Sequence, residues 1–153
     1  MQRHVAGCAM ADHMRTELVV SALKMALGRG RKWLGDIGLH SDRGVQFASE
    51  QFRDVLRLTG IKQSMSGKGD CWDNAPCESW FGKLKSEWIY PHGVYATRAE
   101  AELSIIEYVE MFYNSERVHQ ALGYQTPNAF EKEYYDAEIT LTPMLLDMMV
   151  ETK

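Results

Sequence analysis

Apolar positions along this chain change period several times, and each change predicts an element. Residues 2–11, QRHVAGCAMA, form a short apolar run bounded by polar residues and predict a strand. Leu18, Val19, Ala22, Leu23, Ala26 and Leu27 recur at helical spacing behind Thr16, which has the chemistry of an N-cap. That helix should stop near Gly28 and Gly30. Trp33 to Leu39 predicts a second short strand, with Ile37 and Leu39 facing a core. Ser49 can cap a helix through Leu58, with Phe52, Val55 and Leu56 inward and Gly60 as its stop. Ile61 to Met65 predicts a third strand. Strand, helix, strand, helix, strand is the order expected of an α/β fold.

The second half of the pattern is helical. After SGKGD, a loop at residues 66–70, Asn74 can cap a helix whose first turn accepts Pro76 and which runs through ESWFGKLKSEWI. YPHGVY reads as a linker. Thr97 then starts a long helix to about Asn114, with Ala101, Ile105, Tyr108, Val109 and Phe112 as its buried stripe. The tail after about Tyr135 is apolar and has no evident place in this scheme.

Composition narrows the class. The 153 residues, 45% hydrophobic and 25% charged, are those of an ordinary soluble domain. No apolar run approaches the roughly 18 residues a membrane span needs, and the start lacks a signal-peptide core. Three cysteines, Cys8, Cys71 and Cys77, form no framework and fit reduced thiols in a cytoplasm. Cys71 and Cys77 are too far apart for a C-x-x-C zinc knuckle. The net charge of -4 conceals a division. Residues 1–90 carry 13 Lys and Arg against 10 Asp and Glu, a net of +3; residues 91–153 carry 4 against 11, a net of -7.

Candidate chemistry lies in the positive part. Asp42 follows a predicted strand, where open α/β sheets place ligands. Glu78 falls in the first turns of a helix, with 35 residues between the two. Two carboxylates from separate elements can share Mg2+ or Mn2+, which prefer oxygen ligands, and such metals serve phosphodiester chemistry. Lys85, seven residues after Glu78, projects from the same helical face if the helix is regular, where it could hold a phosphate. The same residues also have plain structural uses: Asp forms turns, and Glu in a first helical turn complements the helix dipole. Gly67, Lys68 and Gly69 could cradle a phosphate, but the full P-loop pattern is absent.

The segments HSDRGVQFAS, SMSGKGDCWDNAPCESWFGKLKSE and YVEMFYNSERVHQALGYQTPNAFE resemble, in order, those of OrfB-type insertion-sequence transposases of the insertion-sequence-three family. The resemblance spans about residues 3–134. It implies a ribonuclease-H-like integrase core with a D-D-35-E triad, in which Asp42 is the second aspartate and Glu78 the glutamate. Lys85 matches the basic residue seven positions after that glutamate, and Lys83 and Lys68 join it as DNA-contact candidates. Asp73 and Asn74 match a Trp-Asp-Asn segment, and Arg117 and His119 match a Tyr-Asn-x-x-Arg-x-His segment with a structural role. The family's first aspartate, usually in a Thr-Asp-Ile-Thr segment on the first strand, has no counterpart before Asp42, and Asp12 is no replacement.

The resemblance therefore implies an incomplete core over residues 1–90, beginning after the first two strands. A helical extension follows over 91–135, and the tail 136–153 has no family counterpart. It also implies metal-dependent transesterification in the parent enzyme, with Mg2+ or Mn2+ weakly bound or absent here. DNA, as transposon ends and target, is the implied partner, along with self-association and no membrane. An inactive DNA-binding or assembly module and a non-functional remnant are the other readings of the same residues.

Overall fold

The computed structural model describes residues 3–29, 37–67 and 75–137. The chain forms two compact units, residues 6–95 and residues 1–5 with 96–153.

The first unit is built around a two-stranded parallel sheet. Helix α1 (Thr16–Gly28) leads to β1 (Gly38–Ser41), α2 (Glu50–Thr59), β2 (Lys62–Met65) and α3 (Ala75–Lys83). The strands pair in register from Gly38 with Lys62 to Ser41 with Met65. Hydrogen bonds from Lys62 N–H to the Ile37 carbonyl (2.9 Å) and from Ser66 N–H to the Ser41 carbonyl (3.0 Å) extend the ladder at both ends. A parallel pair needs a crossover, and α2 supplies it. Its ends are fixed locally. Ser49 accepts a hydrogen bond from Phe52 N–H (3.2 Å), and Gly60, at φ 72°, turns the chain left-handed to satisfy the last carbonyls.

Val20 and Leu23 of α1 and Phe52 and Leu56 of α2 form the buried core, with Leu39, Phe47, Val55 and Ile61 packed around it. Phe47 meets Phe52 edge to face, ring centroids 5.4 Å apart. The inward face of α2 is the one the spacing predicts; on α1 the core takes Leu23 from the predicted stripe, with Val19 and Leu27 packed against it, and also Val20, which the stripe omits. Thr16 does not cap α1, however. Arg15 takes the extended cap position without a side-chain hydrogen bond, so packing rather than a cap holds this end.

Three further expectations are corrected. No strand forms within residues 3–11. A strand needs a neighbour to take its N–H and C=O groups, and here side chains and a helix take that place. Gly7 lies so close to α1 that a Cβ on it would stand 2.7 Å from Ala26 N and closer still to the Ala22 carbonyl. The Cys8 N–H points to Met25 Sδ (3.4 Å). Of the strand expected over Trp33–Leu39, residues 33–36 fall outside the described ones, and its far end lies at Ser41 rather than Leu39, the described strand being Gly38–Ser41. The expected linker YPHGVY is in part helical. The α3 helix widens into a π-helical turn, Leu84–Ile89, and continues as α4 (Tyr90–His92).

In the second unit Thr97 caps α5 (Arg98–Glu107). Its hydroxyl accepts from Glu100 N–H (3.1 Å), and the Glu100 carboxylate accepts from Ala96 N–H (2.7 Å). The helix then widens into a second π-helical turn, Tyr108–Tyr113, in which Asn114 N–H bonds to the Val109 carbonyl, five residues back. Tyr108, Val109, Tyr113 and Asn114 are all buried, a repeat of five rather than 3.6 residues. Phe112, expected inside on the regular period, is only half-buried. A 3-10 turn, Gln120–Leu122, and helix α6 (127–137) complete the described part.

The Tyr-Asn-x-x-Arg-x-His segment forms the corner of this unit. Asn114, 1% exposed, accepts from Val5 N–H (3.0 Å) and donates to the Val5 carbonyl (3.2 Å). The Arg117 guanidinium lies over the Tyr113 ring and reaches the His119 imidazole at 3.3 Å. His119 is buried with its ring edge-on to Tyr113.

Candidate functional site

Asp42 is the first residue beyond β1, at the carboxyl end of the parallel pair. Its Oδ1 accepts from Gly44 N–H (2.8 Å), an Asx-type turn. That leaves the second carboxylate oxygen facing outward on an exposed residue. The strand ends beneath it are tied firmly. The Ser66 hydroxyl donates to the Ser41 carbonyl (3.3 Å), and His40 sits between Ser64 (3.0 Å) and Ser66 (3.2 Å). The Arg43 Nε–H donates to the Ser66 carbonyl (2.8 Å).

Glu78 lies in the first turn of α3 and is exposed. No direct contact joins it to Asp42 among the described residues. Burial pushes the Cys77 thiol above its ordinary pKa, and the negative charges of Asp42 and of Glu78 both push it further. The residue as a whole is exposed.

The basic candidates fare differently. Lys83 closes α3 and is half-buried, and Lys85 is exposed. The helix widens between Glu78 and Lys85, at Leu84, so seven residues here are not two regular turns. Lys68, Asp73 and Asn74 lie outside the described residues. Among the described residues no group of three or more His, Cys, Asp or Glu side chains is arranged to hold a metal ion, and no helix is long and apolar enough to cross a membrane.

Two family models, each described as an integrase core domain, match residues 1–71 and 59–127. The transposase of insertion sequence IS904 from Lactococcus lactis is 38% identical over 130 residues, 85% of this chain and 51% of that protein. The chain belongs to the integrase-core family of insertion-sequence transposases. This integrase core is also 45% identical to the 31 kDa protein of insertion element IS600 from Shigella sonnei, over 83% of this chain and 46% of that one. It is 38% identical to the InsF transposase of IS3fB from Escherichia coli, over 86% of this chain and 45% of that one. It thus spans about half the length of the curated relatives it matches. The crystal structure of the BIV integrase catalytic core has the same fold, with a TM-score of 0.59 at 17% identity, covering 84% of this chain and 78% of that one.

The sequence reading missed the two neighbours of the carboxylates. The sequence marks Cys77 only as a reduced thiol, although it stands next to Glu78. Arg43 follows Asp42 directly, but its anchor, Ser66, is 23 residues away and no local pattern links them.

Proposed function

We propose that this chain carries two carboxylates of a DNA-transposing centre, Asp42 and Glu78, within the sheet unit of an integrase-type core. The observation that supports it most directly is the place of Asp42, just beyond the carboxyl end of the parallel pair with one oxygen held by Gly44 N–H, in a chain that two integrase-core models match. The relatives named as transposases supply the reaction class. A DNA 3′-hydroxyl attacks a phosphodiester, a new phosphodiester forms, and the displaced 3′-oxygen takes up the proton, so bonds and charge balance.

Members of this family use divalent metal ions. Asp42 and Glu78 fit such an ion in kind, since Mg2+ and Mn2+ take carboxylate oxygens, though two side chains are only part of a coordination shell. A bound cation supplies charge neutralisation at the phosphate and activation of the attacking oxygen. The chain's own contribution is placement. Gly44 N–H fixes one oxygen of Asp42 and so aims the other. The first turn of α3 holds Glu78 on a rigid element. Lys85, Lys83 and Lys68 offer positive charge to the DNA backbone, which carries most of the affinity and none of the sequence preference.

The test is Mn2+ binding followed by electron paramagnetic resonance in the wild type, D42N and E78Q. Each substitution removes one charged ligand and should weaken binding on its own, with the double substitution abolishing it. Binding indifferent to either residue overturns the assignment.

A further inference from the structure

The turn after Asp42 holds a cation that the carboxylates and lysines above leave out of the centre. Arg43 is exposed, yet its side chain is tethered, because Nε–H donates to the Ser66 carbonyl at 2.8 Å. That carbonyl is itself immobilised. Ser66 is 5% exposed, its N–H bonds to the Ser41 carbonyl (3.0 Å), its hydroxyl reaches the same oxygen, and His40 holds the hydroxyl from the other side. The guanidinium is therefore held through Nε at the carbonyl of Ser66, the residue that follows β2, while Arg43 itself follows Asp42 beyond β1.

Tethering through Nε leaves the two terminal nitrogens, the donors that grip an oxyanion in a fork. Among the described residues no carboxylate forms an ion pair with Arg43. Asp42, its neighbour, spends Oδ1 on Gly44 N–H instead. A pre-ordered arginine loses little further entropy when an anion arrives. We propose that Arg43 is a DNA-backbone clamp, its terminal N–H groups donating to the oxygens of a phosphodiester beside the one that Asp42 and Glu78 act on. This rests on the transposase reading above, because that reading supplies the polyanion.

Duplex binding by fluorescence anisotropy across a salt series tests it, using several unrelated sequences and the full 153-residue chain. One lost phosphate contact lowers the slope of log affinity against log salt by about 0.9, which corresponds to roughly eight-fold weaker binding at 0.1 M salt. R43A should show that change on every duplex. R43K keeps the charge and should keep the slope, while losing several-fold in affinity with the fork. If R43A does not fold, R43Q, which can still donate to Ser66, reads the same slope. An unchanged slope in the neutral variants, with affinity following thermal stability, makes Arg43 a strut and overturns the clamp alone. A wild type with no salt-dependent DNA binding overturns the transposase reading as well.

Discussion

Cys77 offers a test of whether the carboxylates of Asp42 and Glu78 act on one place. Its thiol pKa is raised first by burial, then by Asp42 and by Glu78. The reactive species is the thiolate, so at a fixed pH below the pKa the alkylation rate follows the thiolate fraction. Removing one negative charge lowers the pKa, raises that fraction and speeds the reaction. D42N and E78Q should each accelerate iodoacetamide labelling several-fold at pH 7.5 in a chain whose other cysteines, Cys8 and Cys71, are serine. Mg2+ should accelerate the wild type and not the double variant. Equal rates in all four would mean that the carboxylates do not reach the thiol. At this scale the sequence was legible where a residue's neighbours are local. Asp42 stands out because a strand ends there, and Glu78 because it opens a helix. The roles of Arg43 and His40 depend on Ser64 and Ser66, which only the parallel pairing of β1 with β2 brings alongside.

Among the elements, those with local signals were readable. Ser49 and Gly60 bound α2, and Thr97 with Glu100 opens α5, because caps are made by residues within four positions of one another. The π-helical turns were not readable, since a repeat of five emerges only when Tyr108, Val109, Tyr113 and Asn114 find a common interior. The apolar run at residues 2–11 misled for a different reason: apolarity promises burial, not a pairing partner. Its burial against α1 can be tested at Gly7. A methyl group there would meet helix backbone, which cannot swing aside as a side-chain tip can. Overpacking of this kind costs about 1–3 kcal/mol, so Gly7→Ala should lower the melting temperature by roughly 2–10 °C in a chain of this length. An unchanged melting curve would show that the segment does not lie on α1 as described.

For the whole molecule, the sheet explains both the fold and its limits. β1 pairs with β2 on one side, and among the described residues no strand covers its other side, an arrangement that invites association. Asp42 stands just beyond the end of β1, where the turn to Gly44 N–H holds one of its oxygens. A metal-dependent centre of this class needs its ligands held closely, and a displacement of about 1 Å can cost on the order of 100-fold in rate. On the reading proposed above two carboxylates would serve this one, and among the described residues no group of three or more His, Cys, Asp or Glu side chains is arranged to hold a metal ion. The 153-residue chain by itself should therefore bind duplex DNA without joining it. A strand-transfer assay with pre-cut ends removes the need for end recognition, and running it in Mg2+ and in Mn2+ covers both ions. The expected product level is that of the D42N and E78Q controls. Robust joining that disappears in both controls would mean that a third ligand reaches the centre, either from residues outside those described or from a second copy of the chain. Mixing inactive D42N with inactive E78Q separates these two sources, since restored joining requires that copies share a centre.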